Sequence, residues 1–320
     1  MHLRLLGNSD IQISSIIMGT WQAGKNMWVG IEDQEIEKAF NDAFEAGVTT
    51  FDTAEAYGNG HSERIVGKAL KNVRSKAVIA TKVFSNHLAY KQVITACERS
   101  LKNLRTDYID LYQIHWPAGS FGHKKVPIEE TLGAMNDLKD QGKIRAIGVS
   151  NFNRAQLEEA RQHAEIVSLQ PPYSLFWRQV EKETMPFCKE NDISILAYSS
   201  LAQGILTGKF GSSPKFEKGD HRVSNRLFLP ENYARAHTAL DQLRPLADKY
   251  DITLGQLALA WVIAQPNTCA IVGARNSNQA IQNSRTMEIT ISNDDLAAID
   301  SIGKSVTDYI DDNPVMWKWS

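Results

Sequence analysis

The stretch TTFDTAEAYG, Thr49 to Gly58, opens with a β-branched and aromatic run, Thr49 to Thr53, and leads toward a helical pattern near Ser62 to Lys71. The same order, a short apolar run and then a helical pattern, recurs at Ala77 to Val83 and at Tyr108 to His115. Each run ends on or just before a side chain that titrates or carries charge: Asp52 and Tyr57, then Lys82, then His115. If the runs are parallel strands of one sheet, their carboxyl ends lie side by side, and the four side chains converge on one cleft.

Outward from these three units the alternation continues. Strand-like runs fall near Ile16 to Gly19, Arg145 to Ser150, Ile166 to Gln170, Ser194 to Ser199 and Cys269 to Gly273, which brings the total to eight. Helical patterns lie near Asp33 to Ala46, Lys91 to Leu104, Ile128 to Gln141, Arg154 to His163, Thr184 to Glu190, within Glu231 to Ala264, and near Asn276 to Ser284. Gly47 and Gly142 stand where the first and fourth helices should stop. Eight β-then-α units predict an α/β fold of the closed (β/α)8 TIM-barrel kind, with two extra helices, rather than an open doubly wound sheet. No G-x-G-x-x-G follows the first run, as a doubly wound dinucleotide fold would have. Leu3 to Leu6 and Ile11 to Ser14 flank Gly7-Asn8-Ser9-Asp10, which reads as a β-hairpin able to plug one end of the barrel. With no linker, low-complexity tract or shift of composition, residues 1–320 read as one domain. Two segments are irregular: Ala202 to Pro230, and the tail from Val306 to Ser320 with Trp317 and Trp319. Such segments are lids or disordered ends, or simply a mobile loop and a tail that covers core.

Composition narrows the class. Lys plus Arg number 35 against 37 Asp plus Glu, a formal charge of -2 with no basic stripe, so nucleic acid is not an expected partner. Cys97, Cys188 and Cys269 are odd in number and far apart, which argues against a disulfide framework or a zinc cage and fits a reducing, cytoplasmic setting. The eight histidines are scattered, so no metal is expected. Leu257 to Ala264, the most apolar later stretch, is too short to span a bilayer. A monomer or weak homo-oligomer is expected.

The four converging side chains make chemical sense together. A tyrosine of pKa ~10 is a poor acid at neutral pH, and a nearby ammonium should lower that pKa. A carboxylate would keep the ammonium charged and in place, and an imidazole would aim a substrate oxygen. Singly, each has a plainer reading: Asp52 and Lys82 a structural ion pair, Tyr57 a rim aromatic, His115 a satisfied polar residue before Trp116-Pro117.

Phe51 to Gly58, Ile79 to Val83 and Asp107 to Trp116, followed by Gly148-Val149-Ser150-Asn151-Phe152, Gln170, Ala197 to Leu201, Gly204 to Lys209 and Ile271 to Arg275, resemble in order and spacing the motifs of the aldo-keto reductase superfamily. The branch is the long-chain one of bacterial general-stress and potassium-channel β-subunit-like proteins. The resemblance implies reduction of aldehydes and ketones with NADP(H), with Tyr57 as general acid, Lys82 and Asp52 as its electrostatic support and His115 orienting the carbonyl. It further implies that Ser150, Asn151 and Gln170 hold the nicotinamide amide and that Tyr198 stacks on the ring. Ser199, Ser200, Leu201, Gly204 and Lys209 would wrap the pyrophosphate, with Gly19, Thr20, Trp21 and Asp52 nearby. Gly273, Arg275, Gln279 and Asn283 would hold the adenosine end. Many relatives carry lysine where Gly273 stands, which leaves Arg275 as the obvious 2′-phosphate partner. Trp21, Tyr57, His115 and Trp116 would contact a small carbonyl substrate, with Trp28 and Phe121 as further wall candidates. The alternatives are a nucleotide-sensing module of the channel β-subunit type and a metal-dependent hydrolase on the same barrel.

Overall fold

The computed structural model describes residues 3–25, 28, 30–211, 214–216, 220–310 and 316. The chain opens with an antiparallel pair, β1 (Leu3–Leu5) and β2 (Gln12–Ser14), joined through Gly7. Gly7 is left-handed at φ +56, and a Cβ there would lie 2.4 Å from the Val167 carbonyl oxygen, so only glycine lets the turn approach this closely. Leu6, Ile11 and Ile13 are buried in a cluster with Ile17, Ala80, Leu111, Ala146, Val167, Leu196 and Cys269. The hairpin therefore stoppers the amino-terminal end of the barrel with apolar side chains.

Eight parallel strands form the barrel: β3 (Ile16–Gly19), β4 (Thr50–Asp52), β5 (Val78–Val83), β6 (Ile109–Ile114), β7 (Ile144–Ser150), β8 (Ile166–Gln170), β9 (Ser194–Ala197) and β10 (Thr268–Gly273). It closes where β10 pairs with β3, Ala270 opposite Ile16. Outside the strands come α1 (Asp33–Glu45), α2 (His61–Ala69), α3 (Tyr90–Leu104), α4 (Ile128–Asp140), α5 (Arg154–Ala160) and α6 (Thr184–Glu190). After β9 the chain makes α7 (Pro230–Lys249) and α8 (Leu254–Ala264), and after β10 it makes α9 (Ser277–Ser284) and α10 (Asn293–Thr307). Helix α8 packs on β10, whereas α7 and α10 pack on each other, so these two are additional to the eight-fold plan.

Helix α10 is the element that sequence periodicity does not anticipate, since no helical pattern was read beyond Ser284. Its start is nevertheless written locally: the Ser292 hydroxyl accepts from the Asp295 N–H, Asp294 and Asp295 occupy the first turn, and Ile299, Gly303 and Val306 recur on the buried side. Val306 thus belongs to a helix and not to an irregular tail, while Trp317 and Trp319 lie outside the described residues. Strands β4 and β9 are shorter than the apolar runs suggest, ending at Asp52 and Ala197. Among the described residues no helix is long and apolar enough to cross a membrane.

Strand period and register decide what faces the bore. In β5, Ala80 and Lys82 point inward, while Thr81 faces out and donates to Glu63 of α2 at 2.7 Å. Register sets Lys82 beside Gln113, Ser150 beside Gln170 and Gly19 beside Asp52. One polar layer therefore forms at the carboxyl end, above the apolar one.

Gly67 provides a test of the helix packing. It sits in α2, where alanine normally stabilises a helix by about 1 kcal/mol relative to glycine. A Cβ there would come within 2.3 Å of the Leu104 carbonyl oxygen at the end of α3, a contact that backbone cannot yield to. Gly67→Ala is expected to destabilise the fold by about 1–3 kcal/mol in urea unfolding, the range for overpacking; a gain in stability would show that α2 and α3 are not this closely packed.

Candidate active site

Lys82 has no exposed surface, and its ammonium lies 2.7 Å from Asp52 Oδ2 and 2.7 Å from the Thr53 carbonyl oxygen. The other Asp52 oxygen accepts from the Gln170 amide at 2.8 Å and, more distantly, from Gln113 at 3.4 Å. A buried charge is tolerated only when it is paired and hydrogen-bonded, and here both partners are.

Tyr57 is carried by the β4–α2 loop, which is locked from beneath. Thr20, Thr53 and Ser62 share hydroxyl hydrogen bonds of 2.6 and 2.9 Å, and Thr20 also donates to the Asp52 carbonyl. Gly24 and Gly58 let the two loops touch: a Cβ on Gly24 would stand 2.7 Å from the Tyr57 carbonyl carbon. The Lys82 ammonium is 5.2 Å from the centre of the Tyr57 ring, Trp21 leans over that ring at 6.3 Å, and His115 meets it edge-on at 5.7 Å. The four sequence-predicted side chains are thus gathered at one mouth of the barrel.

Their electrostatics differ from expectation in one respect. Burial raises the Tyr57 phenol well above its ordinary value, and the Asp52 carboxylate adds to this. Burial thus outweighs the lowering expected from the nearby ammonium. Burial likewise pulls Lys82 down, opposed by Asp52. Burial, and then the charge of Lys82, hold His115 well below the usual histidine value of 6.5. At neutral pH the site therefore holds a protonated phenol and a neutral imidazole.

Ser150, Asn151, Gln170 and Tyr198 form one network. Ser150 donates to the Gln170 carbonyl at 2.8 Å, Asn151 donates to the His115 carbonyl at 3.0 Å, and the Tyr198 hydroxyl donates to Asn151 Oδ1 at 2.9 Å. Asn151 takes the left-handed conformation, φ 62, to reach both neighbours. The buried Ser200 hydroxyl lies 2.8 Å from both the Ala197 and Ile271 carbonyls, tying the end of β9 to β10. The turn from Ser199 through Ala202, Gln203 and Gly204 is left-handed at each of those four positions, and Gln203 donates to the Ser199 hydroxyl at 2.6 Å. Leu201 is partly buried against the core.

Lys209 and Arg275 are brought together with Arg222, a residue that sequence reading missed. Burial, Arg222 and Arg275, in that order, hold Lys209 below the usual lysine value, partly offset by Asp220. Arg222 pairs with Asp220, and the guanidiniums of Arg222 and Arg275 lie 5.7 and 5.2 Å from the Trp28 ring. The Gln279 side chain accepts from the Arg275 N–H at 2.9 Å, and Asn283 reaches the Gly273 carbonyl at 3.4 Å. Beside Gly273 the Gln22 Oε1 is buried without a partner among the described residues, and a Cβ on residue 273 would stand 2.7 Å from it. On the opposite rim, Phe84 stacks on Phe121 at 5.6 Å, and Phe121 meets Trp116 at 5.1 Å.

The closed barrel, with a buried ion pair and a phenol at its carboxyl end, has the plan of a barrel oxidoreductase. The model of the Aldo/keto reductase family matches residues 15–304, and the chain belongs to that family. It is 38% identical over 314 residues to the aldo-keto reductase YhdN of Bacillus subtilis, covering 94% of this chain and 93% of that one. It is 34% identical over 312 residues to an NADH-specific methylglyoxal reductase of Escherichia coli, covering 91% and 94%. Among solved structures it resembles an aldo-keto reductase of Klebsiella pneumoniae in complex with NADPH, with TM-score 0.77, 27% identity and all of both chains covered.

The ion pair gives a quantitative expectation. Asp52→Asn leaves the Lys82 ammonium buried and uncompensated, which should destabilise the fold by about 3–5 kcal/mol. Adding Lys82→Met should recover most of that loss in chemical denaturation, since no charge is then left; a double variant as unstable as the single would mean the pair does not set the stability of this layer.

Proposed function

We propose that the protein reduces a carbonyl group of a small substrate, using NADPH. The observation that carries this reading is the fully buried Lys82 ammonium held between Asp52 and the Tyr57 ring, with His115 edge-on to the same ring. The residues beside it suit a nicotinamide dinucleotide. Lys209, Arg222 and Arg275 are cations for its phosphates, and the unpartnered Gln22 oxygen awaits a donor. Gly19, Thr20 and Trp21 form the near wall and Tyr198 the ring face; Gln279 and Asn283 support the adenosine end.

When bound, the cofactor supplies a hydride to the carbonyl carbon. The Tyr57 hydroxyl gives its proton to the carbonyl oxygen, so that aldehyde or ketone becomes alcohol and the phenolate is left behind. A phenol with a raised pKa keeps its proton until negative charge develops on that oxygen, and then has an acceptor for it. The Lys82 ammonium stabilises the phenolate, and Asp52, with Gln170 and Gln113, keeps the ammonium in place. His115, neutral, donates an N–H to the same carbonyl oxygen and fixes its direction. The substrate side is aromatic, with Trp21, Trp116, Phe84 and Phe121, and such a wall distinguishes poorly between similar apolar carbonyls. The 2′-phosphate preference rests on Arg275, because a guanidinium binds phosphate well and Gly273 offers no second cation.

Tyr57→Phe is expected to lower kcat by about 10²–10⁴-fold with an aromatic aldehyde, followed by loss of NADPH absorbance, while NADPH still binds; near-normal turnover would remove Tyr57 from the role. Arg275→Ala should weaken NADPH more than NADH in fluorescence titrations, by about tenfold or more for a lost charge-assisted bond. Equal losses for both cofactors would place the 2′-phosphate elsewhere. Because His115 is neutral, the pH profile of kcat/KM should carry no ionisation near 6.5, the ordinary histidine value. A fall in activity centred there as the pH drops would show an imidazole that charges readily.

A further inference from the structure

His115 is oriented by rings. Its buried Nδ1 has no hydrogen-bond partner among the described residues, and the imidazole instead stands edge-on to two aromatic rings, Tyr57 at 5.7 Å and Phe84 at 5.4 Å, with interplanar angles of 81° and 79°. Phe84 is in turn fixed through its backbone, whose N–H donates to Glu55 Oε1 at 2.7 Å. Glu55 is buried, and the same oxygen meets His87 Nδ1 at 2.9 Å while its other oxygen pairs with the Arg99 guanidinium. The backbone of Glu55 is equally committed: its N–H donates to the Lys82 carbonyl at 3.3 Å and its own carbonyl accepts from Gly60 at 2.8 Å. A single carboxylate thus joins the loop bearing Tyr57, the strand end bearing Lys82 and the ring that packs on His115.

We propose that Glu55 and Phe84 act as a strut that positions the His115 imidazole, Phe84 by packing on it and Glu55 by holding Phe84 in place. The proposal rests on the reading of His115 as the donor that aims the carbonyl. Neither residue touches the reacting atoms; both are positioning residues. A carboxylate suits this task, because an ionised acceptor binds its donors more strongly than a neutral one and can satisfy the Phe84 amide, His87 and Arg99 together. A displacement of His115 by about 1 Å would cost on the order of 100-fold in rate, so a ring in contact with it controls turnover without touching substrate.

The strut has a second effect that a merely structural role would lack. The charged and titratable groups around His115 are Tyr57, Lys82 with Asp52 behind it, and His123 across Phe84, whose rings stand 5.8 Å apart. Lys82 opposes protonation of the imidazole, and the cover that keeps water away includes Phe84. Removing that cover hydrates His115 and raises its proton affinity toward the ordinary value, so protonation at mildly acidic pH would then add a second cation beside Lys82.

The test combines NMR titration of the histidine Cε1–H signals with the pH profile of kcat/KM and the Kd for NADPH, all on the full chain. In the parent protein the His115 signal should not titrate near pH 6.5. In Phe84→Ala it should titrate at higher pH than in the parent, kcat should fall about 10- to 100-fold, and NADPH Kd should stay within about twofold. Glu55→Ala should move all three readouts the same way, and it carries the test if Phe84→Ala does not fold. Glu55→Gln, which keeps an oxygen for the Phe84 N–H, should lose less than Glu55→Ala. An unchanged His115 titration and unchanged kcat in folded Glu55→Ala or Phe84→Ala would overturn the strut. So would a loss of NADPH binding that fully accounts for the loss of activity. A shifted His115 signal in a protein whose parent form reduces no aldehyde, ketone or sugar would support the strut and overturn the reductase reading instead.

Discussion

The Lys82 ammonium has no exposed surface, so everything around it must supply what water would have supplied. Asp52 and the Thr53 carbonyl do so directly, while Gln170 and Gln113 satisfy the remaining lone pairs of Asp52. With Lys82 these groups come from four different strands, and only a closed parallel barrel in this register brings them within hydrogen-bond distance of one another. The ion pair is thus a condition on the fold as well as a product of it. An error of one residue in the register of β5 would turn Lys82 outward and leave the buried Asp52 without its cation.

Electrostatic balance in this layer also governs its neighbours. Because the ammonium is matched by a carboxylate, the site carries little net charge, and burial becomes the leading influence on Tyr57, Lys82 and His115 alike. Each is pushed toward its neutral form. The far cluster is the reverse, with Lys209, Arg222 and Arg275 close together and Asp220 as the balancing carboxylate. The site therefore has a nearly neutral end around Tyr57 and a cationic end around Arg275, a polarity that suits a ligand with a planar ring at one extremity and phosphate at the other.

The alternation of strand and helix was legible in the sequence because period-two and period-3.6 patterns are local, and so were Asp52, Tyr57, Lys82 and His115, which sit at strand ends. Through-space partnerships were not legible. Nothing near Arg222 in the chain indicates that it stands beside Arg275, and nothing near Glu55 shows that it holds the Phe84 amide. Gln113 reads as part of an apolar run until the register places it beside Lys82. The net direction of the Tyr57 shift was not legible either, because a sequence shows which charges exist but not how deeply the phenol beside them is buried. Helix α10 was missed although Ser292 caps it recognisably, because the segment follows the last barrel unit and so lay beyond the repeating pattern.

The stopper at the amino-terminal end has a bearing on how the chain is made. Arg4 donates to the carbonyls of Ile263 and Thr268, the Gly7 N–H donates to Ser194, and β3 completes its pairing only against β10. The opening residues must therefore wait during biosynthesis until partners more than 180 positions later have emerged from the ribosome, Gly7 and Ser194 alone being 187 apart. Until then the apolar strands of an unclosed sheet have no final neighbour at either edge, and the nascent chain is at its most vulnerable to association with others.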